Sequence, residues 1–186
     1  MKLNISKKVV ISFFAVWIIG AAGLISASYA FTRAKMLADI RGSLIKYLEI
    51  ASLEFPADAH ASLAVREDEG TAEYAEVVDF LRRVKEKLPD VEYVYTLRKT
   101  GDGLIFVGDA ETDEESLSHL GDVYDDVDPF LESVADGLSG AQAADEFYSD
   151  EWGVFLSGYA PIVTSDSRYD GLFAMAFDPW LKVMPP

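Results

Sequence analysis

Val91-Glu-Tyr-Val-Tyr-Thr-Leu-Arg98 alternates Val91, Tyr93, Tyr95 and Leu97 with Glu92, Val94, Thr96 and Arg98, the two-residue period of a β-strand. Thr100-Gly-Asp-Gly103 supplies residues that tolerate positive φ, and Leu104-Ile-Phe-Val107 resumes the apolar run, so the two segments should pair as a hairpin. Downstream come an acidic loop, Asp109 to Glu115, and a polar segment to Asp128, after which Pro129 opens a short helix through Val134. Phe147-Tyr148, Val154 to Val163 and Gly171 to Phe177 read as three more strands, with Thr164-Ser-Asp-Ser167 turning between the last two.

Upstream the period lengthens. Thr71 is an N-cap followed by Glu73, and Tyr74, Val77, Val78, Leu81, Val84 and Leu88 share one helical face before Pro89. Before a polar connection, Arg66 to Gly70, a longer helix carries Leu37, Ile40, Leu44, Leu48 and Leu53 and stops near Phe55-Pro56, with Gly42 as its weak point. The element order is that of an α+β domain with an antiparallel sheet of about five strands and the long helix across one face.

Further upstream, Val9 to Ala30 contains no charge, with Lys2, Lys7 and Lys8 before it and Arg33 and Lys35 after it. Its length, roughly 33 Å as a helix, crosses a hydrocarbon core of about 30 Å. Ser28-Tyr29-Ala30 also ends it like a cleavable signal peptide, but an apolar core of that kind runs about 7 to 15 residues, and this one is longer and continues into the next helix. The reading is an uncleaved anchor with lipid contact through residues 9–30 and the lysine-bearing end in the cytoplasm. Residues 1–30 are then tip and anchor, 31–182 an exported domain and 183–186 a tail.

Three of the 16 basic side chains and none of the 32 acidic ones lie in the first 30 residues, so the remainder carries 13 against 32, a net of −19. Such a field repels nucleic acid and anionic lipid. The absence of cysteine removes disulfides, thiolate metal sites and thiol nucleophiles.

With those elements in place, Tyr93-Val-Tyr-Thr-Leu97, Phe106-Val-Gly-Asp109, Gly121-Asp-Val-Tyr124, Asp150-Glu-Trp-Gly153, Ser157-Gly-Tyr-Ala-Pro-Ile162 and Phe173-Ala-Met-Ala-Phe-Asp178 together resemble single Cache sensor domains. These are the PAS-like (PDC) extracytoplasmic modules of bacterial membrane receptors. The resemblance covers roughly residues 31 to 180. Phe55-Pro-Ala-Asp-Ala-His60, with Tyr74 and Leu81-Arg-Arg83, is similar to the segment before the first strand in members attached to cyclases and kinases. It implies a PAS-like sheet behind the long helix, and sensing of a small organic ligand, an amino acid or carboxylate-like molecule, in signal transduction. It also implies a bacterial inner-membrane protein whose C-terminal domain is periplasmic or extracellular. In the family a second transmembrane helix and an output module follow the last strand. Here the sequence stops at Pro186, so the expectation is a single-pass chain without its own output module, either a stand-alone or truncated sensor or one that acts through a separate signalling partner; family receptors also dimerise along these helices, which makes a homodimer a further expectation. Two rivals stand beside it: a non-sensing interaction subunit of a membrane complex, and a secreted periplasmic binding protein released at Ala30.

By matching position the ligand-binding candidates are Tyr93, Tyr95, Phe106, Asp109, Tyr124, Trp152, Tyr159 and Asp178. A carboxylate such as Asp109 or Asp178 suits a ligand ammonium, and tyrosine hydroxyls or Arg98 suit a carboxylate. Against this, alternating aromatics on a strand also read as core, Asp109 after Gly108 also reads as a turn cap, and Asp178 at the end of an apolar strand needs a partner of some kind. Asp109, Glu111, Asp113 and Glu115 have the alternate spacing that opens a calcium loop but lack its glycine and its closing carboxylate. His60 and His119 have no ligand pair at helical spacing. No metal and no cofactor are therefore expected. With no cysteine, nucleophile elbow or phosphate loop, no catalytic residue is assigned and no enzyme is expected.

Overall fold

The structure, a computed structural model, describes residues 5–101, 103–125, 127–149 and 153–178. Its first helix, α1 (Ile5–Ser52), is continuous, and packing divides the chain into two units, Met1–Ile40 and Arg41–Pro186. In the first, α1 exposes Val9, Phe13, Trp17, Ile19 and Leu24. It is the one helix among the described residues that is long and apolar enough to cross a membrane.

In the second unit, the closing turns of α1 bury Leu44 and Leu48, four residues apart on one face. Leu53 lies past the helix end at 83% exposure and does not extend the stripe as its spacing suggested. After Pro56 the chain makes α2 (Ala57–Ser62), a 3₁₀ turn (Arg66–Gly70) where an irregular connection was expected, and α3 (Ala72–Lys87). The Thr71 hydroxyl caps α3 by accepting from the Tyr74 amide at 3.2 Å. Glu73 in its first turn and Lys85 and Lys87 in its last complement the helix dipole. Its apolar face buries Val77, Val78, Phe80 and Leu81.

The sheet follows: β1 (Val91–Thr100), β2 (Gly103–Asp109), β3 (Gln142–Ala143), β4 (Tyr148–Ser149), β5 (Val154–Val163) and β6 (Tyr169–Phe177). Between β2 and β3 lies α4 (Pro129–Val134). Asp128 caps it, one carboxylate oxygen accepting from the Phe130 and Leu131 amides at 2.7 and 2.8 Å. The strand order is β2-β1-β6-β5-β3, antiparallel throughout, with β4 paired to β5. This is the expected α+β architecture. The two-residue β3 has no pattern of its own in the sequence and forms only because Gln142 and Ala143 pair with Tyr159 and Gly158.

Both sheet faces are covered. On the helix side Phe173 and Met175 of β6 pack with Leu44, Leu48, Val77 and Leu81. On the other, Leu172 and Ala174 pack with Tyr95, Leu97, Leu131 and Tyr159. A buried Leu or Phe of this kind contributes about 1.5–3 kcal/mol, so the sheet is pinned from both sides. One expectation fails here. Val91 was read as sharing a face with Tyr93, Tyr95 and Leu97, yet it packs on the helix side with Val94. The β1–β6 ladder shifts register between Val91 and Tyr93, and a bulge inverts the alternation.

Gly158 allows α1 to approach β5. A Cβ there would lie 2.9 Å from both Leu44 Cδ2 and Leu48 Cδ1, inside ordinary contact, so a larger residue would force those leucine side chains to shift.

Candidate functional site

On the face away from the helices, three strands align two rows of side chains. Tyr95 of β1 pairs with Ala174 of β6, which pairs with Tyr159 of β5; Tyr93 pairs with Ala176, which pairs with Ser157. The middle strand thus contributes only methyl groups, and large or polar side chains stand on both sides of it. A cavity of about 360 Å³ opens along this trough, with Ala176 on its lining. That is the size of a small-molecule site.

The segment after the acidic loop closes it. Gly121 to Tyr124 runs beside β2, with the Phe106 amide donating to the Asp122 carbonyl at 2.9 Å and the Tyr124 amide to the Leu104 carbonyl at 2.8 Å. This brings the Tyr124 ring over Tyr95, stacked at 6.0 Å and 20°. Phe106 lies 5.5 Å from Tyr95 and 5.3 Å from Tyr124, and Phe155 meets Tyr93 edge-on at 5.3 Å. The Lys85 ammonium, paired with Glu111, sits 5.7 Å from the Tyr93 ring centroid.

The cavity therefore brings together five of the eight candidates: Tyr93, Tyr95, Phe106, Asp109 and Tyr124. Tyr159 does not line it but stands just behind, completely buried, with its ring 5.8 Å from Phe130. Asp178 lies one residue beyond the end of β6, half-buried, and does not line the cavity. Trp152 falls outside the described residues.

Asp109 is 4% exposed, and its two oxygens accept from the Glu111 amide at 3.0 Å and the Ser118 amide at 2.9 Å. It ties the two ends of the acidic loop together while facing the cavity. Burial pushes its carboxyl above the usual range, against the pull of those amides and of Lys85. Burial opposes ionisation at Asp122 also, but the Arg66 guanidinium and the His119 amide outweigh it and hold that carboxyl below the usual range. With Glu115 and Asp125 these give four carboxylates on the lining, and no lysine, arginine or histidine among the described lining residues. Burial raises the Tyr95 and Tyr159 hydroxyls well above the usual range, so both stay protonated.

Arg98, read as a group for a ligand carboxylate, is engaged elsewhere. Its guanidinium donates to the Asp170 carboxylate at 2.8 Å, to the His60 carbonyl at 2.7 Å and to the Leu63 carbonyl. The His60 Nδ1 donates to the same Asp170 oxygen at 2.6 Å, because an ionised carboxylate only accepts. This cluster fastens α2 to β1 and β6. Burial drives the His60 imidazole below its usual value, and at Asp170 the partners His60 and Arg98 outweigh burial and hold the carboxyl low.

Sequence reading also missed Phe155, Ser157 and Ala176 on the lining. The only signal for them was the alternation of alanine in Phe173-Ala-Met-Ala-Phe177, which leaves one face of a strand small. No candidate metal-binding cluster occurs among the described residues.

No protein-family model matches the chain, and no curated protein matches it. Among solved structures it is similar to the ligand-binding domain of the Campylobacter jejuni chemoreceptor Tlp3, solved in complex with L-valine. That similarity has a TM-score of 0.52 and 13% identity over 82% of this chain and 60% of that one. The chain thus spans 60% of the length of that domain. The E. coli DcuS sensor domain aligns at a TM-score of 0.45 and 12% identity, over 81% of this chain and 95% of that one. At these identities the likeness is one of fold, and the fold is the Cache type expected from the sequence resemblance.

Proposed function

We propose that this chain is an extracytoplasmic sensor domain, anchored by residues 9–30 in a bacterial inner membrane, that binds a small organic ligand carrying an ammonium group. The single observation carrying the ligand chemistry is the lining of the cavity: an aromatic wall and four carboxyl groups, with no basic side chain among the described lining residues. A cation gains from both, by ion pairing and by contact with tyrosine faces. A plain carboxylate gains from neither, so of the expected ligand classes the amine-bearing one fits. L-valine, bound by the Tlp3 domain, also carries an ammonium.

Binding couples to the long helix through β5. Ser157 faces the cavity, and the next residue, Gly158, lies against Leu44 and Leu48 of α1. A ligand that favours one position of β5 biases the packing of those leucines. The output then passes to a second copy of this chain or to a separate signalling partner.

The test is a thermal-shift screen of the full-length chain in detergent against amines, amino acids and amine-free carboxylates. Ligand at 100 times its Kd should stabilise the domain by about 2.7 kcal/mol. Stabilisation by amine-free carboxylates alone, or by no compound at millimolar concentration, would refute the reading.

A further inference from the structure

Rings and carboxyl groups offer a cation different things, and in this cavity they are not equally available. Tyr93, Tyr95, Phe106, Tyr124 and Phe155 place aromatic rings on the lining from three strands and from the segment after the acidic loop. This wall already takes one cation. The Lys85 ammonium, carried on α3, lies 5.7 Å from the Tyr93 ring centroid, inside the reach of about 6 Å over which a positive charge is drawn to an aromatic face.

The carboxyl groups are already engaged. Asp109 accepts from the Glu111 amide with one oxygen and from the Ser118 amide with the other. Asp122 accepts from the Arg66 guanidinium with one oxygen and from the His119 amide, at 2.9 Å, with the other. Glu115 and Asp125 are exposed to solvent. Asp109 is thus the one buried carboxyl group among the described lining residues, and it could turn toward a ligand only by releasing both ends of the acidic loop. It supplies negative charge to the cavity without offering an idle oxygen.

That division discriminates between kinds of ammonium. A primary ammonium carries three N–H donors, and a donor left unpaired beside aromatic rings loses its water without compensation. A fully methylated nitrogen has no donor to satisfy. Its methyl groups lie against ring faces, and its attraction to Asp109 needs nearness rather than hydrogen-bond geometry.

We propose that the group this cavity selects is a methylated, quaternary ammonium on a small choline-like monocation, with the ring faces making the direct contact and the carboxyl groups supplying the field. This rests on the ammonium-binding reading given above and narrows it.

The experiment uses full-length protein in detergent and calorimetry with choline, tetramethylammonium, ethanolamine and the uncharged analogue of choline in which carbon replaces the nitrogen. Choline should bind at least about tenfold tighter than ethanolamine and than the uncharged analogue. Tyr93→Phe, which keeps the ring face, should hold the choline Kd within about threefold, whereas Tyr93→Leu should weaken it by about tenfold. Tyr124→Phe and Tyr124→Leu form a second pair with the same expected contrast, and a thermal melt of each variant shows that it is folded. Ethanolamine binding as tightly as choline overturns the quaternary preference and leaves the ammonium reading standing. The uncharged analogue matching choline overturns both. A Phe variant losing as much as its Leu counterpart at both positions assigns the contact to hydroxyls and overturns the role of the ring faces. Binding by none of the four compounds at millimolar concentration overturns this inference, while the wider screen of amines and amino acids still decides the ammonium reading.

Discussion

Replacing Asp170 with alanine should destabilise the domain by about 3 kcal/mol, because one carboxylate oxygen serves two buried donors. The His60 Nδ1 approaches it at 2.6 Å and the Arg98 guanidinium at 2.8 Å. His60 is 0% exposed, so without Asp170 its N–H has neither protein acceptor nor water, a loss of about 1–3 kcal/mol. Arg98 keeps the carbonyls of His60 and Leu63 and is partly solvated, which softens the loss of its counter-charge. Breaking one member of a buried pair costs about 3–5 kcal/mol, and the retained carbonyls place this case at the lower end. Asp170→Asn should cost about 1–2 kcal/mol, since its side-chain oxygen still accepts from both donors and only the charge is lost. Urea unfolding of the full-length protein, followed by near-ultraviolet circular dichroism of the tyrosine-rich sheet, gives both values. A cost below about 1 kcal/mol for Asp170→Ala, or equal costs for the two variants, would show that the cluster does not fasten α2 to the sheet.

The same cluster sets a pH dependence. With its folded value held below the ordinary 6.5, His60 takes up a proton in the unfolded chain first. Stability is therefore complete above about pH 6.5 and falls as pH drops from there toward the folded value. His60→Asn should flatten that part of a pH series of urea midpoints, while the loss below about pH 3.8 from the depressed Asp170 persists. Gly171→Ala should cost about 3 kcal/mol, because its Cβ would run into the Leu97 carbonyl oxygen and neither central strand can give way; a urea midpoint close to that of the parent protein would contradict this strand spacing. Ala176→Leu extends a side chain into the cavity and should abolish ligand-induced thermal shifts while changing ligand-free stability by less than about 1.5 kcal/mol. The purified protein should retain residues 1–30 by intact mass, and a mature chain beginning at Phe31 would refute the anchor.

What was legible in the sequence follows the range of the interactions. The β1–β2 hairpin, the Thr71 cap and the start of α4 at Pro129 rest on contacts within a few residues and appear where local chemistry puts them. The Asp109 cap also left a local sign, Gly108-Asp109 at a strand end, although it could not show that the same carboxylate faces a cavity. The trough was not legible, because it depends on which residues stand opposite each other across three strands. A bulge near Glu92 sets that register. Nor was the His60–Asp170–Arg98 cluster, whose members lie 38 to 110 residues apart. An arginine on a strand beside tyrosines reads as a ligand group until its internal acceptors are seen.

The sheet's two faces explain why β5 rather than β1 links the cavity to α1. Strand β1 carries the larger share of the aromatic wall, but it is held between β2 and β6, and Arg98 and the α3 contacts fix it further. Strand β5 pairs along its length with β6 but on its other side, among the described residues, only with the two-residue strands β3 and β4, so fewer backbone bonds hold that side. It also presents its smallest residue, Gly158, to the leucines of α1 and its polar ones, Ser157 and Tyr159, to the opposite face. With no side chain at position 158 to absorb a shift, the strand's backbone bears directly on Leu44 and Leu48. Under the proposed function, a ligand need move only this one strand to alter the packing of Leu44 and Leu48 against it.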